Sequence, residues 1–217
     1  MKFINWIRRY PFTISLLAAV CIAAGLAQGL PGSLPADWSS NYGFAPRHIV
    51  SGDLLRLITS VFLTHDGLHF GFAIAMILLI VVWSERTLGS LNTFCLFSLS
   101  HLTSMFAFAI GVGALQWTYL SQTVSTLYDF HDVGPSAGYY GCLGALLVTS
   151  KLTYRQSITV GVLAVLMLRI AISARSMPES HDVLSADIVH LFAMLAGMAI
   201  QSMGLTPKRY CCSAVKE

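Results

Sequence analysis

Along the chain, polar and charged side chains fall in short clusters that separate long apolar stretches. A helix that crosses a hydrocarbon layer needs about 20 mainly apolar residues. Six stretches of roughly that length can be drawn, at 11–29, 67–84, 91–113, 136–152, 156–174 and 186–204. The longest connections, 30–66 and 114–135, leave no room for a soluble domain, and no internal repeat or low-complexity stretch interrupts the pattern. The first stretch follows Lys2, Arg8 and Arg9, as a signal peptide would. No small-residue cleavage site precedes the later apolar helices, so it reads as a retained anchor. The pattern predicts an all-α polytopic membrane protein with six transmembrane helices: a short segment 1–10, a membrane domain 11–204 and a tail 205–217.

Composition strengthens this reading. Hydrophobic residues make up 55% of the chain and charged residues 11%, against about 25% charged in an average soluble domain. Mean hydropathy is +0.69, more apolar than one soluble core of this size can hide. The net charge of +3 is too small and too scattered for a nucleic-acid surface, so nucleic acid is not an expected partner. Five cysteines, odd in number and without metal-ligand spacing, read as packing residues. Cys211 and Cys212 in the tail read as free thiols, with acylation the alternative if the tail is cytoplasmic.

Charge placement sets the expected orientation. With a cytoplasmic N-terminus the inner segments hold Lys2, Arg8, Arg9, Arg86, Lys151, Arg155, Lys208, Arg209 and Lys216, nine of the 13 basic residues. The outer side keeps Arg47, Arg56, Arg169 and Arg175, and segment 114–135 holds none. Basic residues favour the cytoplasmic side, so both termini are expected there and both long connections outside. Trp38, Tyr42, Phe44 and Pro46 suit the first connection to the membrane surface. A bacterial inner membrane is the plain default, since nothing resembles an organelle transit peptide.

Ionisable and nucleophilic groups inside spanning helices are costly and therefore mark function. In this orientation helices two, four and six all begin at the outer face. Gly134-Pro135-Ser136-Ala137-Gly138 opens helix four, His190 lies near the start of helix six, and His65 and His69 lie near the start of helix two. At about 1.5 Å per residue His190 sits roughly 6 Å below the start of its helix, level with Ser136 if helices four and six pack together. That pair fits nucleophilic acyl transfer, in which an imidazole takes the serine proton and donors at a helix N-terminus receive the oxyanion. Alone, Ser136 is a favoured helix cap and His190 an ordinary packed histidine. Their matched depth favours the chemical reading. The Gly-x-Ser-x-Gly pattern also resembles the nucleophile elbow of soluble hydrolases, but that needs a strand before the serine, which this hydropathy does not offer.

Other polar positions have simpler accounts. His101, midway through helix three, reads as bonded within the bundle. Asp187, three residues before His190, could orient it as a third acid, though a solvated interfacial carboxylate is the simpler account. His131 and Asp132 read as a solvated loop. Three imidazoles, His65, His69 and His190, could hold zinc, yet no Glu stands beside them as a base, and a metal is not expected.

These residues resemble the rhomboid intramembrane serine proteases, and the resemblance spans nearly the whole chain. Gly134-Pro135-Ser136 matches the family's Gly-x-Ser, Tyr140 the aromatic beside the catalytic histidine, and Gly144 the helix-four glycine. His190 matches the base, with Ala193 and Gly197 as the small residues that let helix six approach helix four. His69 matches the helix-two histidine of the oxyanion hole, Glu85-Arg86 and Gly89 the Glu-x-Arg-x-x-Gly region, and Arg56 the end of the first-loop Trp-Arg pair. Ala73 stands where the family usually has Asn, and Ala137 where Gly is more usual. The compact length and divergent second helix resemble the rhombosortase branch, bacterial members that process C-terminal Gly-Gly and helix sorting tails.

The resemblance implies a six-helix rhomboid-like bundle and a serine-type endopeptidase that needs no cofactor. Ser136 and His190 would be catalytic, His69 and Ser136 would form the oxyanion hole, and Gly134, Tyr140, Gly144 and Gly197 would support them. Its partners would be the lipid bilayer and single-pass or C-terminally anchored membrane protein substrates, cut near the outer face. The alternative is a catalytically inactive rhomboid-like protein that binds transmembrane segments, which Ala73 favours and the retained Ser136 and His190 disfavour. A transporter or channel would show broken helices or an inverted repeat, and neither is evident.

Overall fold

A computed structural model describes residues 8–27, 33–119, 121–151, 153–177 and 179–205. The tail cysteines and Lys2, Lys208, Arg209 and Lys216 lie outside them. The described residues form helices α1 (Pro11–Leu26), α2 (Ala36–Tyr42), α3 (Arg47–Ser51), α4 (Arg56–Thr59), α5 (Gly67–Leu88), α6 (Ser90–Thr118), α7 (Gln122–Asp129), α8 (Ser136–Thr149), α9 (Arg155–Arg175) and α10 (His181–Ser202). A helix lies over each of the six apolar stretches read from the sequence. Four of them, α5, α6, α9 and α10, are long and apolar enough to cross a membrane. α1 is apolar but has 16 residues, and α8 has 14.

The element ends follow from local chemistry. Pro11 opens α1, where a missing N–H costs nothing. The next amides, of Phe12 and Thr13, donate to the buried Glu85 carboxylate at 3.0 and 2.9 Å, and the Thr13 hydroxyl donates to it at 2.6 Å. A carboxylate at a helix N-terminus is favourable, so Glu85 caps α1 from the end of α5. Asp66 caps α5 by accepting the His69 amide at 2.8 Å. Residues 77–81 of α5 widen into a π turn. Gly89, at φ +90°, then reverses the chain directly into α6.

The centre of the fold is α8 between α6 and α10. A Cβ on Gly197 would lie 2.0 Å from the Gly141 carbonyl oxygen, and one on Gly144 would lie 2.2 Å from that of Met194. Backbone therefore meets backbone between α8 and α10, the close approach that small residues permit when helices pack in a membrane. On the α6 side, Cβ atoms at Gly138 and Gly141 would run into Phe97 and Ser100. A third contact ties the first long connection to the bundle: His101 Nε2 bonds the Leu57 carbonyl at 2.8 Å, while its buried Nδ1 has no partner.

One expectation changes. Helix six begins at His181 rather than near 186, because the mixed segment His181–Ser185, with three polar residues in five, continues the helix where apolarity is not required. His190 therefore lies about 13 Å along its helix rather than 6 Å, and the first turns of α10 rise beyond the level of Ser136. The first long connection is a series of short helices, and Arg56 holds it together. Its Nε donates to Asp53 at 2.5 Å, and its guanidinium also donates to the carbonyls of Ser40 and Gly43.

Candidate active site

Gly134 has φ +132°, a conformation that side chains with a Cβ rarely adopt, and its N–H donates to the Ser60 carbonyl at 2.8 Å. Pro135 follows as the cap of α8, which places Ser136 at the first helical position. The Ser136 N–H therefore has no acceptor inside the helix and points out of its positive end. The backbone just before this turn is fixed by an antiparallel bridge, Phe44 to Asp132, with N–H···O distances of 3.0 and 2.7 Å. That bridge joins the two long connections beside Ser136.

The bridge also overturns one expectation. Asp132 is buried, not solvated, because pairing with Phe44 draws its backbone inward. Burial pushes its carboxyl up to about 7, against the opposing Val133 N–H. His131 does remain partly exposed, 3.2 Å from the Arg47 guanidinium.

A cavity of about 410 Å³ opens in front of Ser136. His190, Tyr140, His69, Ala73 and Arg169 also line it, so Ser136, His190 and His69 share one space. His190 lies parallel to Tyr140, with ring centroids 4.3 Å apart. Both ring nitrogens of His190 are buried and without a hydrogen-bond partner. Neither ring nitrogen is therefore hydrogen-bonded to the Ser136 hydroxyl.

Asp187 is the second expectation overturned. Its side chain is 1% exposed, not a solvated carboxylate. One oxygen accepts from Arg169 Nε at 2.9 Å, and the other lies 3.8 Å from His190 Nδ1 without a hydrogen-bond partner. In the sequence Arg169 stands out only as an outer-side charge. The i, i+3 spacing of Asp187 and His190 was the available signal, and the burial that makes it matter comes from α9 packing on α10.

On the opposite wall, His69 Nδ1 lies 2.8 Å from Asp66 Oδ1. The same backbone and side-chain bonds from His69 hold the Asp66 carboxyl below its usual range. With a carboxylate on Nδ1, the His69 ring can donate from Nε2 only as the imidazolium. His65 also lines the cavity, its ring 5.7 Å from that of His69 and stacked on Phe130, and burial pushes its imidazole below the usual histidine range. Among the described residues no group of three or more His, Cys, Asp or Glu side chains could hold a metal ion.

A helical chain with apolar spanning helices around an embedded serine and histidine defines an integral membrane protein. Residues 51–206 match the rhomboid domain, and the chain belongs to the rhomboid family. Comparisons with curated proteins and with solved structures return no match.

Proposed function

We propose that this chain is an intramembrane serine endopeptidase of the rhomboid type that cuts membrane-anchored proteins near the outer face. The observation that carries this reading is the shared cavity of Ser136 and His190, with both imidazole nitrogens buried and unpartnered, so that the unprotonated one can take a proton. His190 removes the hydroxyl proton as Ser136 Oγ attacks the scissile carbonyl. The oxyanion is received by the Ser136 N–H and by His69. Collapse breaks the C–N bond, the leaving amine takes the proton from His190, and water attacks the acyl-serine with His190 again as base. Membership of the rhomboid family supports the same chemistry, and Gly134, Tyr140, Gly144 and Gly197 support the geometry by turn, stacking and close approach.

In this reading α1, α5, α6, α8, α9 and α10 are the six spans of a membrane domain at 11–204. The segments 1–10 and 205–217 are cytoplasmic, and the membrane is the bacterial inner membrane. Substrates are single-pass or C-terminally anchored proteins, with a Gly-Gly sorting tail of the rhombosortase kind the specific candidate. A second reading, an inactive binder of transmembrane segments, is favoured by Ala73, which leaves no side-chain donor at its place on the cavity wall. Labelling the purified chain with a fluorophosphonate separates the two. Covalent labelling lost in Ser136→Ala and in His190→Ala supports the protease. A wild-type chain that is folded and never labels supports the binder.

A further inference from the structure

Asp187 is a carboxylate sealed inside the helical bundle, and an ionised group there needs a partner to offset the cost. Arg169 supplies one, through a single hydrogen bond to Oδ2 at 2.9 Å, while its own side chain remains half exposed toward the cavity. The other oxygen has no hydrogen-bond partner. Neither has the nearest donor it could use: Oδ1 and His190 Nδ1 are buried, unsatisfied and 3.8 Å apart. Buried polar atoms are seldom left unpaired in pairs of complementary kind. A movement of about 1 Å brings this pair to hydrogen-bond distance. Tyr140 stacks along the His190 ring, so the ring can shift in its own plane and keep that contact.

We propose that Arg169 and Asp187 form a positioning pair for His190, extending the Ser136–His190 dyad to a triad whose acid is itself held by an arginine. This rests on the protease reading above. Asp187 Oδ1 accepts the Nδ1 proton, which fixes the tautomer that leaves Nε2 free to take the Ser136 proton. It also stabilises the imidazolium once that proton has moved. Arg169 balances the buried charge and fixes the carboxylate plane, so that Oδ2 is occupied and Oδ1 is turned toward the imidazole. The proton passes from Ser136 Oγ to His190 Nε2 and on to the leaving amine, and Asp187 stays ionised throughout. A purely structural ion pair between α9 and α10 would make a different prediction: its loss would change stability and leave the behaviour of His190 alone.

The test uses the full chain in detergent micelles, with two readouts. The first is the rate of Ser136 labelling by a fluorophosphonate. The second is the nitrogen-15 NMR signature of the His190 ring, which reports its tautomer whether or not the protein is an enzyme. Asp187→Asn is expected to slow labelling at least about 10-fold and to remove the Nδ1–H signature, with the helical fold retained. Asp187→Glu keeps a carboxylate for Arg169, and so the fold, but misplaces it for His190; it too slows labelling. Unchanged labelling and an unchanged His190 signature in both variants would overturn the proposal. A wild-type chain that never labels would overturn the protease reading instead, and the NMR arm would still decide whether Asp187 sets the His190 tautomer.

Discussion

Tyr140 lies on His190 with the two ring planes 18° apart and their centroids separated by 4.3 Å. The residues come from the two helices that pack most closely, α8 and α10, so stacking converts a helix contact into a constraint on the proposed base. Aromatic stacking of this kind is worth about 0.5–1.5 kcal/mol beyond the area it buries. Tyr140→Leu keeps the volume roughly and loses the flat face. It is expected to lower kcat by about 3- to 10-fold with KM little changed, whereas Tyr140→Phe keeps both. Steady-state cleavage by the two variants checks this. A loss in Tyr140→Phe equal to that in Tyr140→Leu would point to the hydroxyl rather than the ring.

Gly197→Ala is expected to be far worse than its single methyl implies. The added Cβ would sit 2.0 Å from the Gly141 carbonyl oxygen, and 2.6 Å from its carbon. A side chain could rotate away, but these are backbone atoms, so α8 and α10 must separate. Overpacking of a tight core costs about 1–3 kcal/mol or more, and Ser136 and His190 sit on the two helices pushed apart. Thermal unfolding in micelles should show a lower midpoint, and labelling of Ser136 should fall even in the fraction that remains folded. Gly144→Ala, facing the Met194 carbonyl at 2.2 Å, should behave the same way. Gly71→Ala on α5, where a Cβ meets nothing within 4 Å, should be tolerated.

Asp132 gives a pH test. Its folded carboxyl value is raised by burial to about 7 from an ordinary 3.8, so between those limits the native chain binds more protons than the unfolded one. Stability from this group is therefore greatest below about pH 4 and is lost as pH rises through about 7. His48 acts in the opposite sense. Burial first, with Arg56, His131 and Arg47 nearby, lowers its imidazole to about 4, so falling pH costs stability between about 6.5 and 4. Comparing Asp132→Asn with wild type cancels His48 and isolates the carboxyl. The variant should gain several degrees of unfolding midpoint relative to wild type at pH 8, with the gain shrinking as pH falls toward 4. A constant difference across that range would show that Asp132 is not held protonated.

The parts of this fold that were legible in the sequence are those set by the bilayer and by local chain chemistry. Apolar length gave the helices at 67–84 and 91–113, and Gly134-Pro135-Ser136 gave the turn that opens α8. The burial of Asp187 and Asp132 is not legible for one reason: water is the simplest partner for a carboxylate near an interface, and the sequence offers against it only the i, i+3 spacing that lets Asp187 orient His190. Their burial depends on partners distant in sequence, Arg169 on α9 in one case and the backbone of Phe44 in the other. The start of α10 is not legible because hydropathy marks only the part of a helix inside lipid. Glu85 was matched by resemblance alone, and its physical role, capping α1, needs two helix ends brought together from 72 residues apart.

His69 and Ala73 stand one turn apart on α5 and both face the cavity, so together they define what that wall offers an oxyanion. If His69 donates there, its contact forms only as negative charge develops, and its loss should lower turnover far more than it weakens substrate binding. His69→Ala is therefore expected to reduce kcat by about 10²- to 10³-fold, the usual cost of one oxyanion donor, with KM nearly constant. Ala73→Asn is the converse experiment. Ala73 is 4% exposed, so the added amide must enter the cavity or collide with neighbouring helices. If it enters, it adds a donor beside His69, and turnover should rise if the missing donor limits the rate. An increase in kcat without a change in unfolding midpoint would identify the wall of α5 as the rate-setting feature. An unchanged kcat in His69→Ala would remove α5 from the chemistry and leave the Ser136 amide as the proposed donor.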